Sequence, residues 1–219
     1  MRMTTLRAVI FDMDGVIVNS EPLHERAFQD LMEHLGYGKN HGIQVADYIG
    51  RSDIELWKDF KARHQRRESI EELLALKRER LLELMQHAEP IFEGLPELIG
   101  KLAAHYALAL ASGSERPFID AVLALKDLRR FFPVVVHAAE VEHGKPAPDI
   151  FLLAARRLGV PPEECCVIED SKPGVAAAVA AGMRVIAITN THPASELRQA
   201  THVVQRYAEI ERLLVPAGA

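Results

Sequence analysis

Six short runs along the chain are strongly β-prone, and most of them are apolar without alternating apolar and polar positions. Continuous apolar runs of this length are typical of strands that are covered on both faces, as in a parallel sheet. The predicted strands are Ala8–Phe11, Tyr106–Ala111, Val134–Val136, Cys165–Ile168, Arg184–Ile188 and His202–Val204.

Between the later strands, apolar residues recur at helical spacing. Gly159 and Gly182 stand just after two of these patterns, where helix C-caps are expected. Strands that alternate with helices predict a parallel sheet with helices on both sides. The predicted helices are Leu95–Ala104, Pro117–Leu125, Ile150–Leu158 and Val175–Ala181.

Residues 20–88 contain no convincing strand and instead predict three helices. Two of these helices begin at apparent capping boxes, Ser52-x-x-Glu55 and Ser69-x-x-Glu72. A connection of this length is too long for a simple crossover between strands. We therefore predict an α/β core of residues 1–18 and 91–219, with a doubly wound, Rossmann-like parallel sheet. An all-α cap of residues 19–90 is inserted after the first strand. The predicted cap helices are Pro22–Leu35, Asp53–His64 and Ile70–Gln86.

Composition narrows the class of protein. Among the 219 residues, 48% are hydrophobic and the net charge is -5, which excludes a disordered chain and argues against nucleic acid as the main partner. No apolar run approaches the ~18 residues of a membrane span, and the first ten residues lack a secretory pattern. The two cysteines, Cys165 and Cys166, are adjacent and predict no disulfide scaffold. We expect a cytoplasmic protein with no membrane partner.

The strongest chemical signal is an Asp-x-Asp pair, Asp12 and Asp14, at the end of the first predicted strand. On an extended chain, positions i and i+2 face the same way, and two close carboxylates stay ionised more easily when a cation joins them. The alternative for such a pair is a purely structural role, in a turn or as a helix cap. The position of this pair at the end of a strand favours a ligand-binding site, because open α/β sheets bind ligands outside the carboxyl ends of their strands.

Three further strand ends carry matching groups. Ser112-Gly113 offers a hydroxyl and an approachable backbone N–H, Lys145 lies in a stiff proline-rich loop, and Glu169-Asp170 is a second acidic pair suited to Mg²⁺. A plain turn, a surface lysine and a helix cap are the respective alternatives. Together the groups supply what phosphoryl transfer requires, namely a nucleophile, a metal site and fixed positive charge.

With these motifs the chain resembles the haloacid dehalogenase superfamily of phosphohydrolases, and within it the β-phosphoglucomutase-like group with a small helical cap. The resemblance covers almost the whole chain. It is carried by Phe11 to Ile17, Ser112, Lys145, Glu169 to Ser171 with Gly174, Ala181 to Met183, and Ser20 to His24.

The resemblance implies roles for these residues. Asp12 would attack phosphorus and form an aspartyl-phosphate, while Asp14 would act as general acid and then general base. Mg²⁺ would be held by the side chains of Asp12 and Asp170 and by the backbone carbonyl of Asp14, with Glu169 nearby. A further set of groups would hold the phosphoryl group and the substrate, namely Ser112, Gly113, Ser114 and Lys145.

In this group, cap residues that reach the core site select the substrate. The candidates are His24, Arg51 and Lys77. The alternatives are a solvent-facing histidine, a salt bridge from Arg51 to Asp53 or Glu55, and a plain solvated lysine. Trp57 fits the core of the cap.

The resemblance leaves a phosphatase and a phosphomutase open, because both use the same core residues. His24 and Lys77 resemble positions used by mutases. The loop Gly50-Arg51-Ser52 lacks the extended Gly-x-Ser-Arg pattern of those enzymes, and Asn19 replaces the usual Asp or Thr. We therefore expect a phosphatase that acts on a small phosphorylated metabolite, in the first place a sugar phosphate.

Three other classes share part of the pattern. A signalling receiver domain would be shorter and would need no helical insert. A non-catalytic sugar-phosphate sensor would not need both a nucleophile and an acid, and a metal-free dehalogenase would not need Asp14 or the acidic pair. The sequence leaves the oligomeric state open, and a monomer is compatible with it.

Overall fold

The computed structural model describes residues 5–44 and 53–216. The strands are β1 (Ala8–Phe11), β2 (Ala107–Ser112), β3 (Val134–His137), β4 (Cys165–Glu169), β5 (Arg184–Ile188) and β6 (His202–Val204). The α-helices are α1 (Glu21–His34), α2 (Asp53–His64), α3 (Ile70–Ala88), α4 (Leu95–Ala103), α5 (Arg116–Ala124), α6 (Asp149–Leu158), α7 (Lys172–Ala180) and α8 (Tyr207–Leu214).

The chain divides into two compact units. The core unit comprises Met1–Asn19 and Pro90–Ala219, and the helical unit comprises Ser20–Glu89. The six strands form one sheet in the core unit, in the order β3-β2-β1-β4-β5-β6, and every neighbouring pair is parallel. This confirms the predicted doubly wound sheet, with β1 in its interior.

Helices form two layers around this sheet. Helix α6 contacts β1, β2 and β3 and also α7, whereas α4 contacts β2 and α8. Strand β1 is completely buried, as its unbroken apolar run requires. Proline stands in the first turn of α4, α5 and α7, where its missing N–H costs no helical hydrogen bond. The predicted C-cap glycines, Gly159 and Gly182, both have positive φ, at 68° and 74°.

One core helix was not predicted. Helix α8 spans only eight residues, and just two of its apolar side chains are buried, Ile210 and Leu214. These positions lie four apart and therefore on one face of the helix. So short a pattern lies at the lower limit of what hydrophobic periodicity can reveal.

The chain leaves and re-enters the core unit at one place. The Asn19 backbone N–H donates to the Pro90 carbonyl at 2.9 Å, and the Phe92 N–H donates to the Ile17 carbonyl at 3.3 Å. Between them, Val18 and Ile91 form an isolated antiparallel bridge. The two connections are thus hydrogen-bonded to each other as they pass.

The helical unit has its own apolar core. Trp57 is fully buried, as its assignment to the cap core requires, and its ring lies 5.6 Å from Phe28 and 5.8 Å from Phe60 between centroids. At the start of α3, the Ser69 hydroxyl accepts from the Glu72 N–H and the Glu72 carboxylate accepts from the Ser69 N–H, at 3.1 and 2.7 Å. This is the predicted capping box. The box expected at Ser52 lies outside the described residues.

The two cysteines are free and buried in β4. Burial raises the pKa of the Cys165 thiol to about 11 and that of Cys166 to about 12. Both therefore remain protonated, packed thiols near neutral pH. Over residues 5–44 and 53–216, no helix has the length and apolar character needed to span a bilayer.

Asp30 joins two helices of the helical unit. Its carboxylate accepts from Arg26 on α1 and from Arg80 on α3, both at 2.7 Å. Burial alone would raise the pKa of Asp30, but the two guanidinium groups outweigh it and lower the pKa. The paired carboxylate therefore stabilises the fold above the unfolded-state pKa of ~3.9, and this contribution is lost as the pH falls below it.

We predict that Asp30→Asn lowers the free energy of unfolding by about 1 kcal/mol at pH 7, with the difference from wild type shrinking below about pH 4. Urea denaturation at a series of pH values measures this. Asp120→Asn is the control, because it removes a single ion pair, with Arg116, whose side chains are 45% and 49% exposed. A pH-independent loss in Asp30→Asn would contradict the prediction.

Candidate active site

The site lies at the point where the order in which the chain adds strands to the sheet reverses. From β1 the chain builds β2 and β3 on one side, then returns to build β4, β5 and β6 on the other. Such a reversal of strand order leaves a crevice at the carboxyl ends of the two central strands, β1 and β4. Asp12 directly follows β1, and its N–H donates to the Ile168 carbonyl of β4 at 3.0 Å. Glu169 ends β4 and Asp170 follows it, so the two acidic motifs become neighbours.

Lys145 joins these carboxylates. Its ammonium donates to Asp12 Oδ1, and it donates to Glu169 Oε1 at 2.7 Å. The side chains of Lys145, Asp12 and Glu169 are only 13%, 8% and 0% exposed. Burial works to lower the pKa of Lys145, but the two carboxylates outweigh it and raise the pKa. The lysine, which follows β3 in the chain, is therefore a fixed cation at this strand end.

Glu169 is held at both of its oxygens. While Oε1 binds Lys145, Oε2 accepts from the N–H groups of Asp170 and Ser171 at 2.7 Å each, and from the Ser171 hydroxyl at 2.9 Å. The Ser171 hydroxyl in turn caps α7 by accepting from the Gly174 N–H at 3.1 Å. Four hydrogen bonds to one carboxylate make Glu169 an orienting group for Lys145 and for the turn after β4.

Gly174 makes room for this carboxylate. A Cβ built on Gly174 would lie 1.6 Å from Glu169 Oε1 and 2.0 Å from its Cδ. The backbone of Gly174 is helical, so it is the missing side chain rather than an unusual φ that matters here. The start of α7 and the buried glutamate therefore fit each other only with glycine at this position.

The charges of the cluster call for a further cation. Ligand atoms of Asp12, Glu169 and Asp170 all lie within 4.8 Å of one another, and Lys145 offsets only one of the three carboxylates. Burial raises the pKa of Asp12 well above its usual range; Lys145 opposes this, and the charges of Glu169, Asp170 and Asp14 reinforce it. A divalent cation would supply the missing positive charge, and buried carboxylate oxygens are the ligands that Mg²⁺ takes in proteins. The residues present therefore fit a metal.

Asp170 sits against a second glycine. Burial and the charge of Glu169 raise the pKa of Asp170 to about 7, although a hydrogen bond from the Thr191 hydroxyl to Asp170 Oδ2 acts in the other direction. A Cβ on Gly15 would lie 1.8 Å from Asp170 Oδ2 and 2.9 Å from Thr191 Cγ2. Gly15 also has φ of 75°, a conformation that glycine adopts without strain. Two independent constraints thus require glycine after Asp14.

Asp14 belongs to a second group of polar side chains. The Ser114 hydroxyl donates to Asp14 Oδ2 at 2.6 Å, and the Ser114 N–H donates to Ser112 Oγ at 3.0 Å. Ser112 is fully buried at the end of β2. A Cβ added at Gly113 would meet no atom within 4 Å, so the backbone there borders open space that a ligand can occupy. The carboxylate of Asp14 is therefore tied to the loop after β2.

The structure thus brings the sequence-predicted core residues together in two adjoining sets. Asp12, Lys145, Glu169 and Asp170 make the charged cluster. The remaining predicted core residues, around Asp14, come from the ends of β1 and β2. All of them belong to the core unit.

The three candidate cap residues belong to the helical unit. His24 lies on α1 and is partly exposed, and Arg51 lies outside the described residues. Lys77 on α3 is 6% exposed, so the alternative of a plain solvated lysine is wrong. A signal for this was present in the sequence: Leu73, Lys77, Leu81 and Met85 follow one another at intervals of four residues, and all are buried.

Three polar residues near the site were not predicted. Thr191 donates to Asp170, and Asn190 donates through Nδ2 to the Gly15 carbonyl at 2.7 Å. Tyr207 donates to the Val16 carbonyl at 2.8 Å. Asn190 and Thr191 come just after β5, so the same strand-end argument that found Asp12 could have found them. Tyr207 starts the helix that the periodicity did not reveal.

Comparisons with known proteins agree with this geometry. The sequence profile of the haloacid dehalogenase-like hydrolases matches residues 6–182. Fructose-1-phosphate phosphatase YqaB of Escherichia coli (strain K12) is 36% identical over 180 residues, covering 81% of this chain and 94% of that protein. Hexitol phosphatase B of the same strain is 34% identical over 187 residues, covering 83% and 82%. The crystal structure of CbbY from Rhodobacter sphaeroides in complex with phosphate is similar with a TM-score of 0.79 and 29% identity, covering 94% of this chain and 96% of that one.

We predict that Gly174→Ala destabilises the protein by about 1–3 kcal/mol, because the new methyl group must displace the carboxylate of Glu169. Gly100→Ala in α4 is the matched control. There the Cβ meets only Phe131 Cζ, at an ordinary 3.9 Å, and glycine-to-alanine in a helix should stabilise by about 0.5–1 kcal/mol. Urea unfolding of both variants measures the difference. Equal effects of the two substitutions would show that the contact with Glu169 carries no energy.

Proposed function

The chain belongs to the haloacid dehalogenase-like hydrolases and is a phosphoric monoester hydrolase, and from this premise we propose its reaction. It is a Mg²⁺-dependent phosphatase that hydrolyses a small phosphorylated metabolite, in the first place a sugar phosphate. The reaction runs through an aspartyl-phosphate on Asp12, and Asp14 is the general acid and base.

One observation carries the proposal. Asp12, directly after β1, lies in the buried charged cluster with Lys145, Glu169 and Asp170, which come from two distant parts of the chain. A sensor that only bound a sugar phosphate would gain nothing from burying carboxylates beside the phosphate, because like charges repel. A nucleophile that must be anionic, and must still accept an anionic substrate, requires such a cluster with its counter-charges.

The proposed residue roles follow from the contacts. Asp12 attacks phosphorus through a carboxylate oxygen as the bond from phosphorus to the leaving oxygen breaks, and Asp14 gives its proton to that oxygen. Asp14 then takes a proton from water, which attacks the aspartyl-phosphate and releases Asp12 and inorganic phosphate. The Ser114 hydroxyl donates to Asp14 Oδ2 and thereby orients the carboxyl group that exchanges the proton.

The metal would be held by Asp12 and Asp170, together with the backbone carbonyl of Asp14. Glu169 supports these ligands from behind, because its oxygens are engaged by Lys145 and by the turn after β4. Bound Mg²⁺ supplies positive charge that keeps Asp12 ionised and offsets its repulsion from the phosphate.

The phosphoryl oxygens have donors on this chain. Lys145 uses two of its three ammonium protons on Asp12 and Glu169, which leaves the third for a phosphoryl oxygen. The hydroxyl of Ser112 accepts from Ser114 N–H and keeps its own proton to donate. The N–H of Gly113 is the proposed third donor, at a residue where an added Cβ would meet no atom within 4 Å. Fixed donors of this kind stabilise the charge that develops in the transition state.

The substrate class rests on the relatives. YqaB and hexitol phosphatase B are named for phosphorylated small molecules, a ketose phosphate and hexitols, and both match most of this chain. We extend this class to the present chain and assign His24, Arg51 and Lys77 of the helical unit to substrate selection. The proposed substrate, a small metabolite, also agrees with the expected cytoplasmic location.

Asp12→Asn tests the nucleophile. We expect release of inorganic phosphate to fall by more than about 10³-fold with the fold intact, because the amide cannot form the phosphoenzyme. Asp120→Asn makes the same chemical change at an exposed position of α5 and should keep the wild-type rate. Phosphate release at the wild-type rate by Asp12→Asn would overturn the assignment.

A substrate panel tests the reaction class. Phosphate release from small phosphorylated metabolites is measured with Mg²⁺ and after its removal by EDTA, beside a coupled assay for conversion of β-glucose 1-phosphate to the 6-phosphate. We expect Mg²⁺-dependent hydrolysis to exceed isomerisation. Faster isomerisation would instead assign a β-phosphoglucomutase-type mutase, and Mg²⁺-independent binding without turnover would assign a sensor.

A further inference from the structure

Two side chains outside the predicted motifs hold the turn that follows Asp14. Asn190 lies just after β5, and Tyr207 is the first residue of α8. Asn190 donates from Nδ2 to the Gly15 carbonyl at 2.7 Å and to the Tyr207 hydroxyl at 2.9 Å. The Tyr207 hydroxyl donates to the Val16 carbonyl at 2.8 Å. We call Asn190 and Tyr207, with these three hydrogen bonds, the carbonyl clamp.

The donors and acceptors of the carbonyl clamp match. A side-chain amide nitrogen carries two protons, and Asn190 uses one on the Gly15 carbonyl and one on the phenol oxygen. The Tyr207 hydroxyl in turn donates its single proton to the Val16 carbonyl. Burial raises the pKa of Tyr207, so the phenol keeps that proton throughout the neutral range. Two successive peptide carbonyls are thereby tied to groups that lie 175 and 191 residues further along the chain.

The clamped turn carries Asp14. It is closed internally by hydrogen bonds from the Gly15 N–H to the Val18 carbonyl, at 2.9 Å, and from the Ile17 N–H to the Met13 carbonyl, at 2.7 Å. Those bonds fix the internal shape of the turn, and the Ile17 carbonyl at its far end accepts from the Phe92 N–H. The carbonyl clamp acts on the part of the turn that directly follows Asp14. Gly15, which adds conformational freedom directly after Asp14, is the residue whose carbonyl Asn190 binds.

We propose that the carbonyl clamp positions Asp14 for proton transfer to the leaving oxygen, with Asn190 and Tyr207 acting as positioning residues. The inference rests on the proposed function, because it assigns a cause to the placement of the general acid. Proton transfer depends steeply on placement, and a displacement of about 1 Å can reduce a rate by about 10²-fold. Asp12 and Lys145 have separate supports, namely the bond from the Asp12 N–H to the Ile168 carbonyl and the bond from Lys145 to Glu169.

Tyr207→Phe is the test variant, since it keeps the ring and removes only the hydroxyl. Tyr106→Phe is the matched control: the Tyr106 hydroxyl also donates to a backbone carbonyl, that of Leu214, at 2.6 Å. Tyr106 precedes β2 and so lies at the amino end of that strand, away from the catalytic end of the sheet. Both variants lose one phenol-to-carbonyl hydrogen bond that involves α8, and Tyr207→Phe also removes the acceptor of the Asn190 hydrogen bond.

The readout is the dependence of the rate on the leaving group. A sugar phosphate has a poor leaving group that needs protonation, whereas p-nitrophenyl phosphate has a good one that needs little. Phosphoenzyme formation is measured for both substrates in single turnovers. We expect Tyr207→Phe to lose about 10- to 100-fold on the sugar phosphate and less than about 3-fold on p-nitrophenyl phosphate, while Tyr106→Phe changes neither by more than about 3-fold.

Equal losses of Tyr207→Phe on the two substrates would overturn the positioning role, as would an effect no larger than that of Tyr106→Phe. Hydrogen exchange of the peptide that contains residues 13–18 gives a readout independent of activity, and it should quicken in Tyr207→Phe alone. Unchanged exchange there would also overturn the inference. Failure of the wild-type protein to hydrolyse either substrate would count against the proposed function instead, and the exchange result would still decide whether the carbonyl clamp holds the turn.

Discussion

The repulsion among Asp12, Glu169 and Asp170, buried around a single lysine, is the constraint on which the rest of the site depends. Carboxylates in a low-dielectric interior are tolerated only where hydrogen bonds and counter-charges compensate for lost water. Glu169 meets this requirement through four hydrogen bonds, one of them from Lys145. Asp12 and Asp170 do not meet it from the described residues alone, as their raised pKa values show. A cation bound among these carboxylates would supply the missing counter-charge, and the proposed metal would thereby stabilise the cluster as well as serve its chemistry.

The same constraint explains why two glycines border the cluster. Gly15 and Gly174 each stand where a methyl group would penetrate a carboxylate, of Asp170 in one case and Glu169 in the other. The site thus consists of a rigid charged cluster and of a turn, carrying Asp14, whose position depends on contacts with other elements. The charged cluster is fixed by buried strand ends and the start of α7, whereas Asp14 sits on a turn whose position comes from Ser114 and from contacts with later elements of the chain.

Much of the fold and of the site could be predicted from sequence because both rest on local signals. Apolar runs identified all six strands, and the rule that ligands gather at strand ends selected Asp12, Lys145 and Asp170. Tyr207 was beyond reach for a physical reason: its partner is a backbone carbonyl, which every residue carries and no sequence pattern marks. Asn190 comes just after β5, so the strand-end argument could have selected it, although its carbonyl partner could not have been predicted. For Lys77 the sequence left a substrate contact and a solvated lysine open, although its four-residue spacing from Leu73 and Leu81 already indicated the buried face of α3.

The paired connections beside Val18 and Ile91 have a consequence for how this architecture can change. Asn19 and Pro90 are hydrogen-bonded to each other, so the ends of the inserted segment are held together. The insert is therefore equivalent to a closed loop, and the entropic cost of closing such a loop grows only slowly with its length. Recombination at these two points can graft a different helical module onto the sheet without disturbing strand register. The architecture thereby keeps the charged cluster, all of whose residues belong to the core unit, apart in sequence from one contiguous exchangeable segment.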